Sequence, residues 1–261
     1  MRIVRFSTGD ESPQFGVLAS RRDQPSELVV AELDGGPYDG IALNGRTHAF
    51  ADVRLLAPTL PTKVVAIGKN YADHAAEMGG DVPAVPIVFL KPSTSVTGPG
   101  QDIEYPGISD EVGYEGELAV VIGRMCRDVP AERVPEVIFG YTCANDVTAR
   151  DLQRSEGQWG RAKGMDTFCP LGPWIETELD PSDLALTTTV NGELRQSGRT
   201  SQMVRGITEL VVHVTAAMTL LPGDVILTGT PAGVGPLQVG DEVAVTVEGI
   251  GTLTNRVIKR G

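Results

Sequence analysis

Tyr114-Glu115-Gly116-Glu117-Leu118-Ala119-Val120-Val121-Ile122-Gly123 reads as a buried strand with two carboxylates set into it. Side chains alternate across a strand, so Glu115 and Glu117, two positions apart, fall on the same face. Like charges at that spacing need a cation between them. A second apolar run, Gly140-Tyr141-Thr142-Cys143-Ala144-Asn145, closes on Asp146. Three carboxylates with no neighbouring His or Cys form an all-oxygen donor set, suited to Mg²⁺, Mn²⁺ or Ca²⁺ rather than Zn²⁺. An isolated Glu-x-Glu is more often a pair of solvated acids on an edge strand; the motifs around this one argue against that.

At 261 residues and 41% hydrophobic, the chain can bury a full core, as one large domain or as a small domain joined to a larger one. Its formal charge of −12 comes from acids spread along the chain. That argues against nucleic acid or an anionic membrane as partner, and an anionic substrate would need a local positive patch. There is no run of about eighteen apolar residues, and Arg2-Ile3-Val4-Arg5-Phe6 opens as a strand with no charged-then-apolar leader before it. The expectation is a soluble, cytoplasmic protein. Cys126, Cys143 and Cys169 are odd in number and widely spaced, which fits neither a disulfide framework nor a C-x-x-C zinc site. They read as reduced, packed thiols.

Strand-like runs at 3–6, 15–19 and 28–33, separated by Gly, Pro and Asp clusters, suggest a small N-terminal β-rich domain over residues 1–57. Ala57-Pro58-Thr59-Leu60-Pro61-Thr62 disfavours any regular element and sets it off from a catalytic domain at 58–261. Further strands are expected at 63–67, 87–90, 225–227, 242–247 and 252–258. Helices are expected at 71–78, capped by Asn70, and at 207–220. Asn191-Gly192, between runs at 186–190 and 193–196, supplies the two positive-φ residues of a type I′ hairpin turn. Many strands with few crossover helices predict a β-rich α+β roll or barrel-like body, not a doubly wound sheet.

Gly68-Lys69-Asn70-Tyr71-Ala72-Asp73-His74, Phe89-Leu90-Lys91-Pro92, Tyr114-Glu115-Gly116-Glu117, Asn145-Asp146, Val190-Asn191-Gly192-Glu193 and Thr228-Gly229-Thr230-Pro231 follow one another across residues 63–259. Each fragment is weak alone; in this order and spacing the chain resembles the fumarylacetoacetate hydrolase family. The resemblance implies a mixed β-sandwich roll, a homodimer, and a Mg²⁺ or Mn²⁺ ion, replaceable by Ca²⁺ in crystals, held by Glu115, Glu117 and Asp146. The chain is most similar to the smaller bacterial-type members: acylpyruvate hydrolases, oxaloacetate decarboxylases, and the isomerases or decarboxylases of homoprotocatechuate breakdown. These act on 2-oxo or 2-hydroxy-dienoic acids. Asp146-Val147-Thr148-Ala149-Arg150-Asp151-Leu152-Gln153, with Ala162-Lys163, resembles the acylpyruvase and oxaloacetate decarboxylase side. Lys69 is a departure, since many members carry Arg or Leu there; an ammonium grips a carboxylate less rigidly than a guanidinium fork.

His74 and Glu77 stand at i and i+3 on the expected short helix, so they share a face, and a carboxylate beside an imidazole fixes its tautomer and raises its basicity. Outside this motif the pair reads as a surface coincidence; within it, it reads as a dyad that activates water. Lys163 lies in a Gly-bounded stretch where lysines are usually solvated. The resemblance instead places it in the active site, on a substrate carboxylate or a developing enolate. It also implies substrate contacts from Lys69, Tyr71, Gln153 and Thr230. Lys91 is either site wall or packing, and Ala232-Gly233-Val234-Gly235, lacking a Gly-Lys-Ser/Thr ending, is a turn beside the site. His48 and His213 have no such context. The implied activity is cleavage of a C–C bond in a 2-oxo acid, by acylpyruvate-type hydrolysis or oxaloacetate-type decarboxylation through a metal-bound enolate. Isomerisation of a 2-hydroxyhepta-2,4-diene-1,7-dioate, a reaction of aromatic-compound catabolism, needs the same ligands. A non-catalytic metal-binding protein is the third reading, and a buried charged pocket joining the dyad to the carboxylates would count against it.

Overall fold

The computed structural model describes residues 1–9, 12–21, 24 and 26–261. Gly116–Ile122 is buried along its whole length, because each face of the strand meets an apolar layer. Leu118, Val120 and Ile122 join one cluster with Leu186, Val245 and Leu253, and with Leu210, Val211 and Val214. Ala119 and Val121 join another with Ile3, Val64, Ala66, Ala144 and Leu171. Strand parity puts Glu117 on the side of this second cluster. One edge of the strand pairs antiparallel with Ile138–Asn145, Gly116 opposite Asn145. The other pairs with Val225–Leu227, which runs parallel to Lys63–Gly68.

These strands are the middle of a 12-stranded mixed sheet. Beyond Lys63–Gly68 it ends at Ile87–Pro92; in the other direction it continues through Cys169–Glu176, Arg2–Ser7, Gln14–Ser20 and Leu28–Leu33 to Leu43–Ala49. The N-terminal strands therefore extend the main sheet, with Ile3 opposite Ile175. A five-stranded sheet of Glu193–Arg199, Ala185–Val190, Glu242–Val247, Gly251–Lys259 and Ile103–Tyr105 covers the first cluster. Three short strands, Thr148–Ala149, Val112–Tyr114 and Gly235–Pro236, form a third sheet beside Glu115. Packed sheets with a few short helices make the β-rich α+β body that the strand-rich sequence predicts, in the sandwich form that the family resemblance implies. The layers approach most tightly at Gly116, where a Cβ would lie 2.1 Å from Thr188 Oγ1.

Asn191 and Gly192 take φ of 53° and 80°, the type I′ geometry expected for the hairpin. The helix Ile207–Ala217 buries Leu210, Val211, Val214 and Thr215, one stripe of its surface. It stops three residues short of the expected Leu220: Met218 is already extended, and Leu220 forms a bridge with Cys126 just before the Leu221-Pro222 pair, which excludes helix. The helix Ala72–Glu77 is not capped by Asn70. That side chain instead donates to the Arg205 and Thr228 carbonyls and accepts the Arg205 N–H, so its hydrogen-bonding capacity fastens the segment to its neighbours. All three cysteines are free and buried. Among the described residues no helix is long and apolar enough to cross a membrane.

Candidate active site

The strand ladder is interrupted at Glu115, which lies between Val112–Tyr114 and Gly116–Ile122. Its N–H donates to Asn145 Oδ1 at 3.0 Å, and its carbonyl accepts the Asp146 N–H at 2.9 Å. These two bonds seat Asp146, one residue past the end of its strand, beside Glu115. Glu115, Glu117 and Asp146 are all buried, with one carboxylate oxygen from each within 4.8 Å of the others.

Cations from three other segments meet them. The short helix Gly160–Lys163 presents Lys163, whose Nζ donates to Glu115 Oε2 at 3.0 Å, Asp146 Oδ2 at 2.6 Å and Thr148 Oγ1 at 2.8 Å. Arg150, first residue of the helix Arg150–Ser155, lies 2.6 Å from Glu115 Oε1. Lys91 pairs with Asp146 Oδ1 and donates to the Val147 carbonyl at 3.2 Å. Glu117 accepts only the Gly229 N–H, at 2.6 Å, and no cation pairs with it among the described residues. The carboxyls diverge accordingly. Burial pushes Glu115 up, but the Lys163 and Arg150 charges outweigh it and hold Glu115 far below the usual range. For Glu117, burial and then the Asp146 and Glu115 charges act together, raising it well above 4.5. Burial opposes the Lys163 charge, yet Asp146 and Glu115 keep its ammonium above the ordinary lysine value.

A cavity of about 190 Å³ opens onto Glu115, Glu117 and Lys163 and is also lined by Lys69, His74, Arg150, Gln153, Trp159 and Thr230. His74 is buried, its Nδ1 3.4 Å from Glu77 Oε2. The Glu77 carboxylate accepts the Gly233 N–H at 3.1 and 3.2 Å, while the Gly233 carbonyl accepts the Tyr114 hydroxyl at 2.9 Å. The Gly-rich turn thus ties the dyad to the residue that precedes Glu115. Only glycine fits, since φ is +98° and a Cβ would lie 2.1 Å from the Arg195 carbonyl. Thr230 donates to the Gly116 carbonyl and accepts from Gln196, and Gln153 accepts from Arg150. Lys69 is half-buried at φ 56°, with no ion-pair partner among the described residues.

Two residues lie outside the cavity wall, one of the two places the sequence allowed for Lys91. Tyr71 is buried but does not line this cavity; its hydroxyl has no hydrogen-bond partner among the described residues, and burial followed by the Glu117 charge pushes its pKa upward. Lys91 lies behind Asp146, outside the wall. Sequence reasoning missed Arg150 altogether. The available signal was electrostatic: three buried acids require cations, and Arg150 stands four residues past Asp146.

Residues 63–258 match the family model for the fumarylacetoacetate (FAA) hydrolase C-terminal domain. The chain belongs to the fumarylacetoacetate hydrolase family. Residues 1–58 match a second model, Rv2993c-like, N-terminal. Among fumarylacetoacetate hydrolase family relatives, Protein Rv2993c of Mycobacterium tuberculosis is 54% identical over 264 residues, covering 100% of this chain and 99% of that protein. Oxaloacetate tautomerase YisK of Bacillus subtilis is 43% identical over 243 residues, 87% of this chain and 80% of that protein. The X-ray structure of 5-carboxymethyl-2-hydroxymuconate delta-isomerase from Mycobacterium smegmatis matches with a TM-score of 0.92 at 53% identity over 100% of both chains. The strand-rich architecture is that of the family, and the buried acidic cluster could hold a metal ion.

Proposed function

We propose that this fumarylacetoacetate hydrolase family enzyme enolises a small 2-oxo acid and relocates the proton, as an isomerase or tautomerase, with a divalent cation held by Glu115, Glu117 and Asp146. The observation that carries the reading is one buried cavity in which Glu115 and Glu117 of the acid cluster, Lys163 and His74 face the same space. Two relatives, a delta-isomerase and a tautomerase, support proton transfer. The donor set fits a hard cation: all three residues offer carboxylate oxygens, and among the described residues no cation pairs with the buried Glu117. A Mg²⁺ or Mn²⁺ ion bound there would supply Lewis acidity toward the 2-oxo group and its neighbouring carboxylate.

The chain's own residues supply the rest. His74, oriented by Glu77, takes the proton from the carbon next to the oxo group, and the C–H electron pair becomes the C=C of the enolate. Lys163 places a fixed positive charge beside the oxygen on which negative charge develops. Return of the proton to oxygen or to a more distant carbon completes a tautomerisation or isomerisation. Lys69, at the cavity wall, offers an ammonium to a second carboxylate. A second reading, C–C cleavage, is favoured by the dyad itself, which could equally deprotonate a water that attacks a distal carbonyl.

The test is incubation with oxaloacetate and with acylpyruvates in D₂O containing Mg²⁺ or Mn²⁺, followed by NMR. Deuterium entry beside the oxo group, faster than pyruvate release, supports proton transfer. Pyruvate as the main enzymatic product supports cleavage, and neither change above the protein-free rate would refute both.

A further inference from the structure

Lys91 has no part in the chemistry above, yet it is the most deeply buried cation of the site, with no exposed surface. It lies on Ile87–Pro92, opposite Val64, and reaches Asp146 from outside the cavity. Asp146 is thereby sorted into two different oxygens: Oδ1 is held from behind by Lys91, and Oδ2 points to Lys163, which lines the cavity. A buried ion pair is weak evidence for stability, because an apolar pair of similar volume is often as stable, so Lys91 invites a functional reason.

The formal charges supply one. Glu115, Glu117 and Asp146 carry three negative charges, and Lys91, Lys163 and Arg150 carry three positive ones. A divalent cation then takes the site to +2, which matches the carboxylate and enolate oxygens of an enolised 2-oxo acid. Without Lys91 the loaded site would carry only +1. We propose that Lys91 is a positioning residue that holds Asp146 Oδ1 and leaves Oδ2, on the Lys163 side, as the oxygen offered to a cation, and that it supplies the charge that lets the loaded site accept a dianion. This rests on the metal reading of the cluster given above.

The variant K91M keeps the length of the stem and removes the charge. EDTA-treated protein is titrated calorimetrically with Mn²⁺, and the Mn²⁺-loaded protein is then titrated with oxalate, a planar dianion. With the cluster one charge more negative, Mn²⁺ should bind several-fold tighter and oxalate about tenfold weaker. A role in packing alone would weaken both affinities or leave both unchanged, and either result overturns the proposal. If K91M does not fold, K91Q, which keeps a hydrogen-bond donor near Asp146, is judged by the same two affinities. Wild-type protein that binds no Mn²⁺ removes the metal reading and this role together. Wild-type protein that binds both probes, with unchanged affinities in the variant, removes only the role of Lys91.

Discussion

Glu32 and Glu117 are each 1% exposed and belong to the same sheet, but Glu32 lies just beneath the side chains of an edge strand and Glu117 deep between the layers, and their electrostatics are opposite. Glu32, on Leu28–Leu33, meets Asn44 Nδ2 at 2.7 Å, His48 Nε2 at 2.8 Å and the Arg46 guanidinium, all from the neighbouring strand Leu43–Ala49. Burial pushes its carboxyl up, but the hydrogen bonds from His48 and Asn44 and the Arg46 charge prevail and hold it below 4.5. Glu117 has one backbone N–H and two carboxylate neighbours, and its carboxyl is raised. Burial alone therefore does not mark a functional acid; an incomplete set of partners does. The fully satisfied glutamate fastens an edge strand, and the unsatisfied one faces the cavity.

The sharpest way to break this contrast is E117Q. Loss of a ligand should abolish measurable divalent binding and lower turnover by more than the roughly 10–100-fold that changes behind the ligands cost. The same variant, free of a strained buried acid, should melt at a higher temperature than EDTA-treated wild type near neutral pH. A variant with normal Mn²⁺ binding would place the cation elsewhere. Next, H74A should lower kcat by about 10²–10⁴ while KM and Mn²⁺ affinity stay within about twofold, because the imidazole acts on a proton in flight and not on the ground state. Near wild-type turnover would exclude His74 as the base.

A pH series of melts separates the two acids by sign. The Glu117 carboxyl is raised on folding, so its contribution is fully present below about 4.5 and is lost as pH rises through the elevated value. EDTA-treated wild type should lose stability as pH rises above about 4.5, Mn²⁺ should restore it, and E117Q should abolish the slope. The Glu32 carboxyl is lowered, so its contribution is present above about 4.5 and is lost as pH falls. E32Q should cost about 1–3 kcal/mol by chemical denaturation with turnover unchanged. The smallest effect belongs to R46A: Arg46 is 58% exposed, and its loss should cost no more than about 1 kcal/mol.

What could be read in advance divides along the same line. The three acids were legible because strand parity and the end of an apolar run are local properties. The Asn191-Gly192 hairpin was legible because its backbone angles follow from two adjacent residues. Lys91, Arg150 and Lys163 were not legible as one set: they come from three segments, and only the folded chain brings them to Glu115 and Asp146. The same limit hid the pairing of Arg2–Ser7 with Cys169–Glu176, which joins segments far apart in the chain. Asn70 was misread as a cap because its sequence context is that of one, whereas its partners, Arg205 and Thr228, lie in distant loops. Tyr71 shares a motif with His74, but it is buried behind the cavity wall, within reach of the Glu117 charge.

Gly116 separates the two glutamates, and its N–H is received by Gln196, which also donates to Thr230 at the cavity wall. Any side chain at Gly116 would act as a wedge against Thr188, in the hairpin strand Ala185–Val190. Displacing that strand would drag Gln196 and Thr230 with it. The hairpin is thus a lever arm whose fulcrum lies between Glu115 and Glu117. Alanine at Gly116 should therefore loosen the cavity wall at Thr230 without replacing any carboxylate, ammonium or imidazole of the site.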